Sequence, residues 1–151
     1  EQELQFATGR YMRYPQLQHA FEIDDVCGIV RLNYEQKVTF YNGDDQLSAG
    51  LRLHCTGGHS AGLQFVSVHT KRGWVVLASD ASHYYEHIES YRPFTIAFHV
   101  GEMMESFDKL KKTAPSLSHI IPGHDPRVME KYPAVEGQDG LMVRLDEPPK
   151  N

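Results

Sequence analysis

From Val26 onward the chain reads as short apolar runs broken by turn residues. VCGIVRL (26–32) and KVTFY (37–41) predict the first two strands, and Asn42-Gly43-Asp44-Asp45 predicts the turn after them. AGLRLHCT alternates, with Leu51, Leu53 and Cys55 on one face and Arg52, His54 and Thr56 on the other, as a half-buried strand should. That strand stops at Gly57-Gly58-His59. LQFVSVHT and GWVVLAS flank Lys71-Arg72-Gly73 as the arms of a hairpin, and the second arm, nearly all apolar, predicts an interior place in a sheet before the chain stops at Asp80. GEMMESFDKLKKTAP is the clearest helix: Met103, Phe107 and Leu110 fall at i, i+4 and i+7, acids lead, lysines trail and Pro115 follows. LSHII is a short strand ending at Pro122-Gly123-His124-Asp125, and LMVRL a last strand before a frayed tail, DEPPKN. Ahead of all this, a short helix is expected around Gln2–Arg13, with Pro15 ending it.

Strands dominate, with one late helix and a β–α–β crossover over 74–121, so the class is α+β. Of 151 residues, 40% are hydrophobic and 23% charged, enough to build one soluble globular domain with a core. A net charge of −5 without a Lys/Arg block predicts no nucleic-acid partner. No apolar run reaches the ~18 residues of a membrane span, so none is expected. Two cysteines, Cys27 and Cys55, are too few for a disulfide framework and fit a reducing, cytoplasmic compartment. The start at Glu1, with no strand signal before Val26, reads as a chain cut from something longer.

His59, Asp80 and His124 each follow the end of a predicted strand, two of them directly after glycine. Loops converge at the rim formed by strand ends, and imidazole and carboxylate groups meeting there suit a divalent ion such as zinc. Gly58 and Gly123 would then take positive φ and turn the next side chain back toward the rim. Taken singly, each histidine reads equally well as a solvated turn residue; the three together point to a site. The alternation of AGLRLHCT sends Cys55 into the core, Met103 and Met104 belong to the helix core, and His54, His69, His99 and His119 are expected to be satisfied by backbone or water. Asp125 is placed to hold the His124 imidazole from behind.

TGGHSAG, LASDAS and IIPGHD in that order, the last preceded by the helix GEMMESFDKLKK, resemble the metallo-β-lactamase superfamily, and within it the N-acyl-homoserine lactonase branch. The likeness covers about residues 25–135. It implies an αβ/βα sandwich of which residues 1–151 are the C-terminal half, with two zinc ions at the rim between the sheets. His59 would complete the first metal site, Asp80 would bridge both ions and His124 would ligate the second. The branch places a tyrosine three residues after the bridging Asp, to hydrogen-bond the substrate carbonyl; here DASHYYEH has His83 at that position and Tyr84 next. Either His83 takes over the donor role, or Tyr84 reaches in through a one-residue shift, or Tyr84 and Tyr85 only pack at the sheet edge.

The family's other ligands come from a His-x-His-x-Asp-His loop, and no such motif occurs in residues 1–151. The expected function is a dinuclear-metal hydrolase that opens a lactone by a metal-bridging hydroxide, hence a quorum-quenching activity. A thioester hydrolase of the glyoxalase II type keeps the fold and changes the ester. The N-terminal half is expected as a second chain or a nicked fragment; without it the chain would be inactive, a non-catalytic half-domain whose open sheet seam favours self-association.

Overall fold

The computed structural model describes residues 1–150. Its centre is a five-stranded sheet in chain order, β1 (Asp45–Ser48), β2 (Leu51–Cys55), β3 (Gln64–Thr70), β4 (Gly73–Leu77) and β5 (Ile120–Ile121). The first four run as an antiparallel meander, with Leu53 opposite Val66 and Val68 opposite Val75. β5 joins β4 in parallel, Val76 beside Ile120. The connection between them carries two helices, α4 (Tyr85–Ser90) and α5 (Val100–Thr113). Ahead of the sheet stand α1 (Gln2–Ala7), α2 (Pro15–Gln18) and α3 (Ile23–Tyr34), and after it α6 (Arg127–Lys131).

The period of two in β4 and β5 divides the core between the sheet's faces. On one face Val76 and Ile120 meet Phe65, Leu63 and the buried stripe Met103, Phe107 and Leu110 of α5, with Ile88 of α4. On the other, Val75 and Ile121 pack with Tyr132, backed by Val128, Val143 and Leu145. Coverage of both faces is why GWVVL carries almost no polar residue. Phe6 ties the N-terminal helices to the body through Phe98, ring centroids 4.6 Å apart.

The hairpin, the α5 helix and the parallel return stand as expected, and three predicted strands do not. VCGIVRL lies inside helix α3. Its apolar residues Ile23, Val26, Cys27 and Val30 are spaced i, i+3, i+4 and i+7 and line one groove with Ala7 and Met12, while Asp24 and Asp25 occupy the first turn and Arg31 the last. KVTFY makes no ladder; the sheet edge is taken instead by β1, a polar segment without apolar alternation. Asp44 anchors that edge, accepting from the Cys55 backbone N–H at 3.0 Å and the Lys109 ammonium at 2.5 Å. LMVRL contributes one isolated bridge, Val143 to Ala134. No helix among the described residues is long and apolar enough to cross a membrane.

Candidate metal centre

β2, β4 and β5 run in one direction, because β2 and β4 are each antiparallel to β3 and β5 is parallel to β4. The chain therefore leaves all three at the same rim of the sheet, and His59, Asp80 and His124 follow those exits. Gly58 makes the first exit work: it has φ +102°, and a Cβ there would sit 2.5 Å from the backbone of Met103, so the loop lies directly on α5. Gly123 acts differently from the expectation. Its φ is not in the left-handed region; it is needed because a Cβ would stand 2.7 Å from the Ser79 carbonyl oxygen. The left-handed residue at that crossing is Ser79, φ +49°, immediately before Asp80.

Two backbone hydrogen bonds join the loops, Gly123 N–H to Ser82 C=O at 2.9 Å and His124 N–H to His83 C=O at 3.0 Å. His124 Nε2 lies 2.7 Å from Asp80 Oδ1, and His83 Nε2 lies 3.3 Å from the same oxygen. His59, Asp80 and His83 each offer a ligand atom within 4.8 Å of the other two. The His83 imidazole beside it, and then His124, hold the Asp80 carboxyl well below the usual carboxylate range, against the burial that pushes it up. His59 bonds the Ile96 carbonyl through Nδ1 at 2.9 Å; a carbonyl only accepts, so Nδ1 carries a proton, and the neutral ring has its lone pair on Nε2. Phe94 forms the floor, stacked on His83 at 4.0 Å and on His87 at 4.9 Å. Burial lowers the His87 pKa, and its Nδ1 accepts the Tyr84 backbone N–H at 3.3 Å.

The structure thus gathers His59, Asp80, His83 and His124, and leaves Tyr84 beside them, 44% exposed, its ring 6.5 Å from that of His83. Tyr85 turns into the core. Asp125 does not hold His124. It is buried, accepts from the backbone N–H groups of Tyr85 and Arg127, and pairs with the Arg127 guanidinium at 2.7 Å. Cys55 is half-buried on an open groove and not in the core. His54, predicted on the wet face, is buried, stacked on Phe65 and bonded to Ser67 at 2.8 Å. His99 caps α5 by accepting the Glu102 N–H.

No protein-family model matches the chain. An N-acyl homoserine lactonase from a Bacillus species is 32% identical over 114 residues, 74% of this chain and 44% of that protein. A Bacillus thuringiensis AiiA variant with N-decanoyl-L-homoserine at its active site superposes with a TM-score of 0.53 at 31% identity, over 61% of this chain and 37% of the other. AidC, a dizinc quorum-quenching lactonase in complex with its product, superposes with a TM-score of 0.55 over 80% of this chain and 42% of the other; at 16% identity it speaks for the fold. The matched part of the chain has the metallo-β-lactamase fold. Within that superfamily it falls in the N-acyl homoserine lactonase branch, and it spans less than half the length of these relatives.

Proposed function

We propose that this chain is part of a metal-dependent hydrolase that opens lactones, N-acyl-homoserine lactones or close analogues. The observation that carries the reading is the convergence of His59, Asp80, His83 and His124 at one rim, in a chain 32% identical to an N-acyl homoserine lactonase. The residues fit a divalent ion: the ionised Asp80 supplies a hard oxygen, the tautomer of His59 leaves a nitrogen lone pair, and the buried Nε2 of His83 has no hydrogen-bond partner. Zinc bound there would lower the pKa of a water toward neutrality and polarise the ester carbonyl. Asp80 and His59 would hold such an ion, His124 would fix the orientation of the Asp80 carboxylate through its 2.7 Å hydrogen bond, and the half-exposed Tyr84 would offer a hydroxyl to the carbonyl oxygen. A second ion would share Asp80 and take His124, with its other ligands from a His-x-His-x-Asp-His segment not found in residues 1–151; the complete site would then need that segment as a companion half.

The test starts from protein purified from its natural source, assayed for intact mass, zinc content and acid release from a panel of acyl-homoserine lactones, aromatic lactones and thioesters. Zinc in the preparation and chelator-sensitive lactone opening are expected, with both lost in Asp80→Ala. A folded, zinc-free preparation that opens no lactone overturns the reading, and turnover of thioesters alone redirects it to the glyoxalase II type.

A further inference from the structure

His83 stands where the branch resemblance calls for a tyrosine that donates a hydrogen bond to substrate, and its geometry does not suit that task. Its Nε2 is buried, and no protein atom satisfies it. A donor to substrate must be open to the space the substrate enters, and this nitrogen is covered and faces Asp80 Oδ1 at 3.3 Å. The contact does not form a hydrogen bond and is electrostatic. Buried polar nitrogens are seldom left unpaired without a use.

We propose that His83 is a metal ligand, and that His59, Asp80 and His83 together form a three-ligand site contained wholly within this chain. In a tetrahedral zinc centre with bonds of about 2.0–2.1 Å, neighbouring ligand atoms lie about 3.3–3.4 Å apart. The separation of His83 Nε2 from Asp80 Oδ1 matches such an edge; that of His124 Nε2 from the same oxygen, 2.7 Å, is a hydrogen bond. Two imidazoles and one carboxylate form a donor set that binds zinc with a fourth position open.

The His83 ring is also held in place. It is sandwiched against Phe94, with centroids 4.0 Å apart and planes 23° from parallel, and its own carbonyl is fixed by the His124 N–H at 3.0 Å. A ligand whose plane and backbone are set by packing binds without first losing rotamer freedom. The donor role assigned to the tyrosine position then passes to Tyr84, the neighbouring residue with an exposed ring. This inference rests on the metal-binding part of the proposed function and is independent of the lactone.

The decisive experiment titrates cobalt(II) and zinc into the 151-residue chain and its His83→Phe, His83→Tyr and His69→Ala variants. The ligand-field band of four-coordinate cobalt is read directly, and zinc affinity by competition with a chromophoric chelator. Phenylalanine and tyrosine keep the stack on Phe94, and His69, packed on Trp74 at the end of β3, controls for casual histidine binding. The wild type and His69→Ala are expected to take one tightly bound ion with the four-coordinate band. His83→Phe and His83→Tyr are expected to lose more than the 10–100-fold that removal of an outer partner costs, and to lose the band. Long-range ¹H–¹⁵N spectra of the wild type supply a readout that does not depend on any variant folding: one equivalent of zinc should move the His83 Nε2 resonance to the metal-bound position.

Equal affinity and an unchanged band in His83→Phe, or an unmoved Nε2 resonance at saturation, overturns the proposal and leaves the metal reading of the other residues standing. A wild-type chain that binds neither ion overturns the proposal of a site within this chain, and zinc-free protein from the natural source overturns the metal reading as well. One tight ion lost with His83, in a protein that opens no lactone, upholds the His83 assignment while the lactone reading fails alone.

Discussion

Replacing Asp125 by Asn should destabilise the fold more at neutral pH than in acid. The carboxylate joins two helix starts: Oδ2 accepts the Tyr85 N–H at 2.9 Å where α4 begins, and Oδ1 accepts the Arg127 N–H at 3.0 Å where α6 begins. Burial pushes this carboxyl up, but the Arg127 guanidinium and the two backbone N–H groups outweigh it and bring the pKa from 3.8 down to about 2. That fall corresponds to roughly 2.5 kcal/mol at about 1.36 kcal/mol per pH unit. The Arg127 side chain is 47% exposed, so solvent screening trims the ionic part to about 1–2 kcal/mol. Asparagine adds about 1 kcal/mol more, because its NH₂ must face an N–H that now lacks an acceptor. The total, about 2–3 kcal/mol, should lower the melting temperature by roughly 5–10 °C for a chain of this size.

The sign with pH follows from linkage. The folded pKa lies below the unfolded one, so the ionic contribution is complete above about pH 5 and is lost as pH falls through 4 toward 2. Thermal melts by circular dichroism, with chelator present at every pH, should show the gap between wild type and variant narrowing to roughly 60% of its neutral value by pH 2.5, as about two thirds of the ionic part is lost and the asparagine part stays. A gap that stays constant from pH 7 to pH 2.5, or no gap at pH 7, refutes the assignment of Asp125 as the ionic staple of these loops.

Two further substitutions test the frame of the site. Gly123→Ala puts a Cβ 2.7 Å from the Ser79 carbonyl oxygen and 2.9 Å from its carbon, backbone atoms that cannot swing away. It should cost about 1–3 kcal/mol in urea unfolding and weaken zinc binding, since Ser79 carries Asp80; wild-type stability and affinity together would contradict the crossing described. Phe107→Ala removes a fully buried ring from the cluster under β4 and should lower stability by about 3–5 kcal/mol with an unchanged urea slope, and a loss under 1 kcal/mol would show that α5 is not the cover of that face.

Periodicity revealed the fold best where both faces of an element are covered. Met103, Phe107 and Leu110 marked α5, and the apolar run of β4 marked an interior strand, because tertiary burial and sequence pattern agree there. The pattern misled where burial is slight. α3 buries no residue fully, so its β-branched residues read as a strand despite their i, i+3, i+4, i+7 spacing. β1 was invisible for the opposite reason: DQLS has no alternation to read, and it is a strand because β2 offers a ladder and Asp44 pins its entry.

In the site, positions were legible and orientations were not. That His59, Asp80 and His124 share a rim follows from strand directions, which the hairpin and the crossover already imply. Which way His83 and Asp125 turn is decided by partners distant in sequence. Phe94 and the His124 N–H hold His83 inward, toward Asp80. Adjacency in sequence pairs Asp125 with His124, yet two backbone N–H groups and a guanidinium offer it more hydrogen bonds than one imidazole could. The consequence is a division of work between adjacent residues. Asp125 spends its charge on holding the loops together, which leaves His124 free to meet Asp80, and Asp80, ionised by neighbouring imidazoles and no arginine, keeps its charge for the rim.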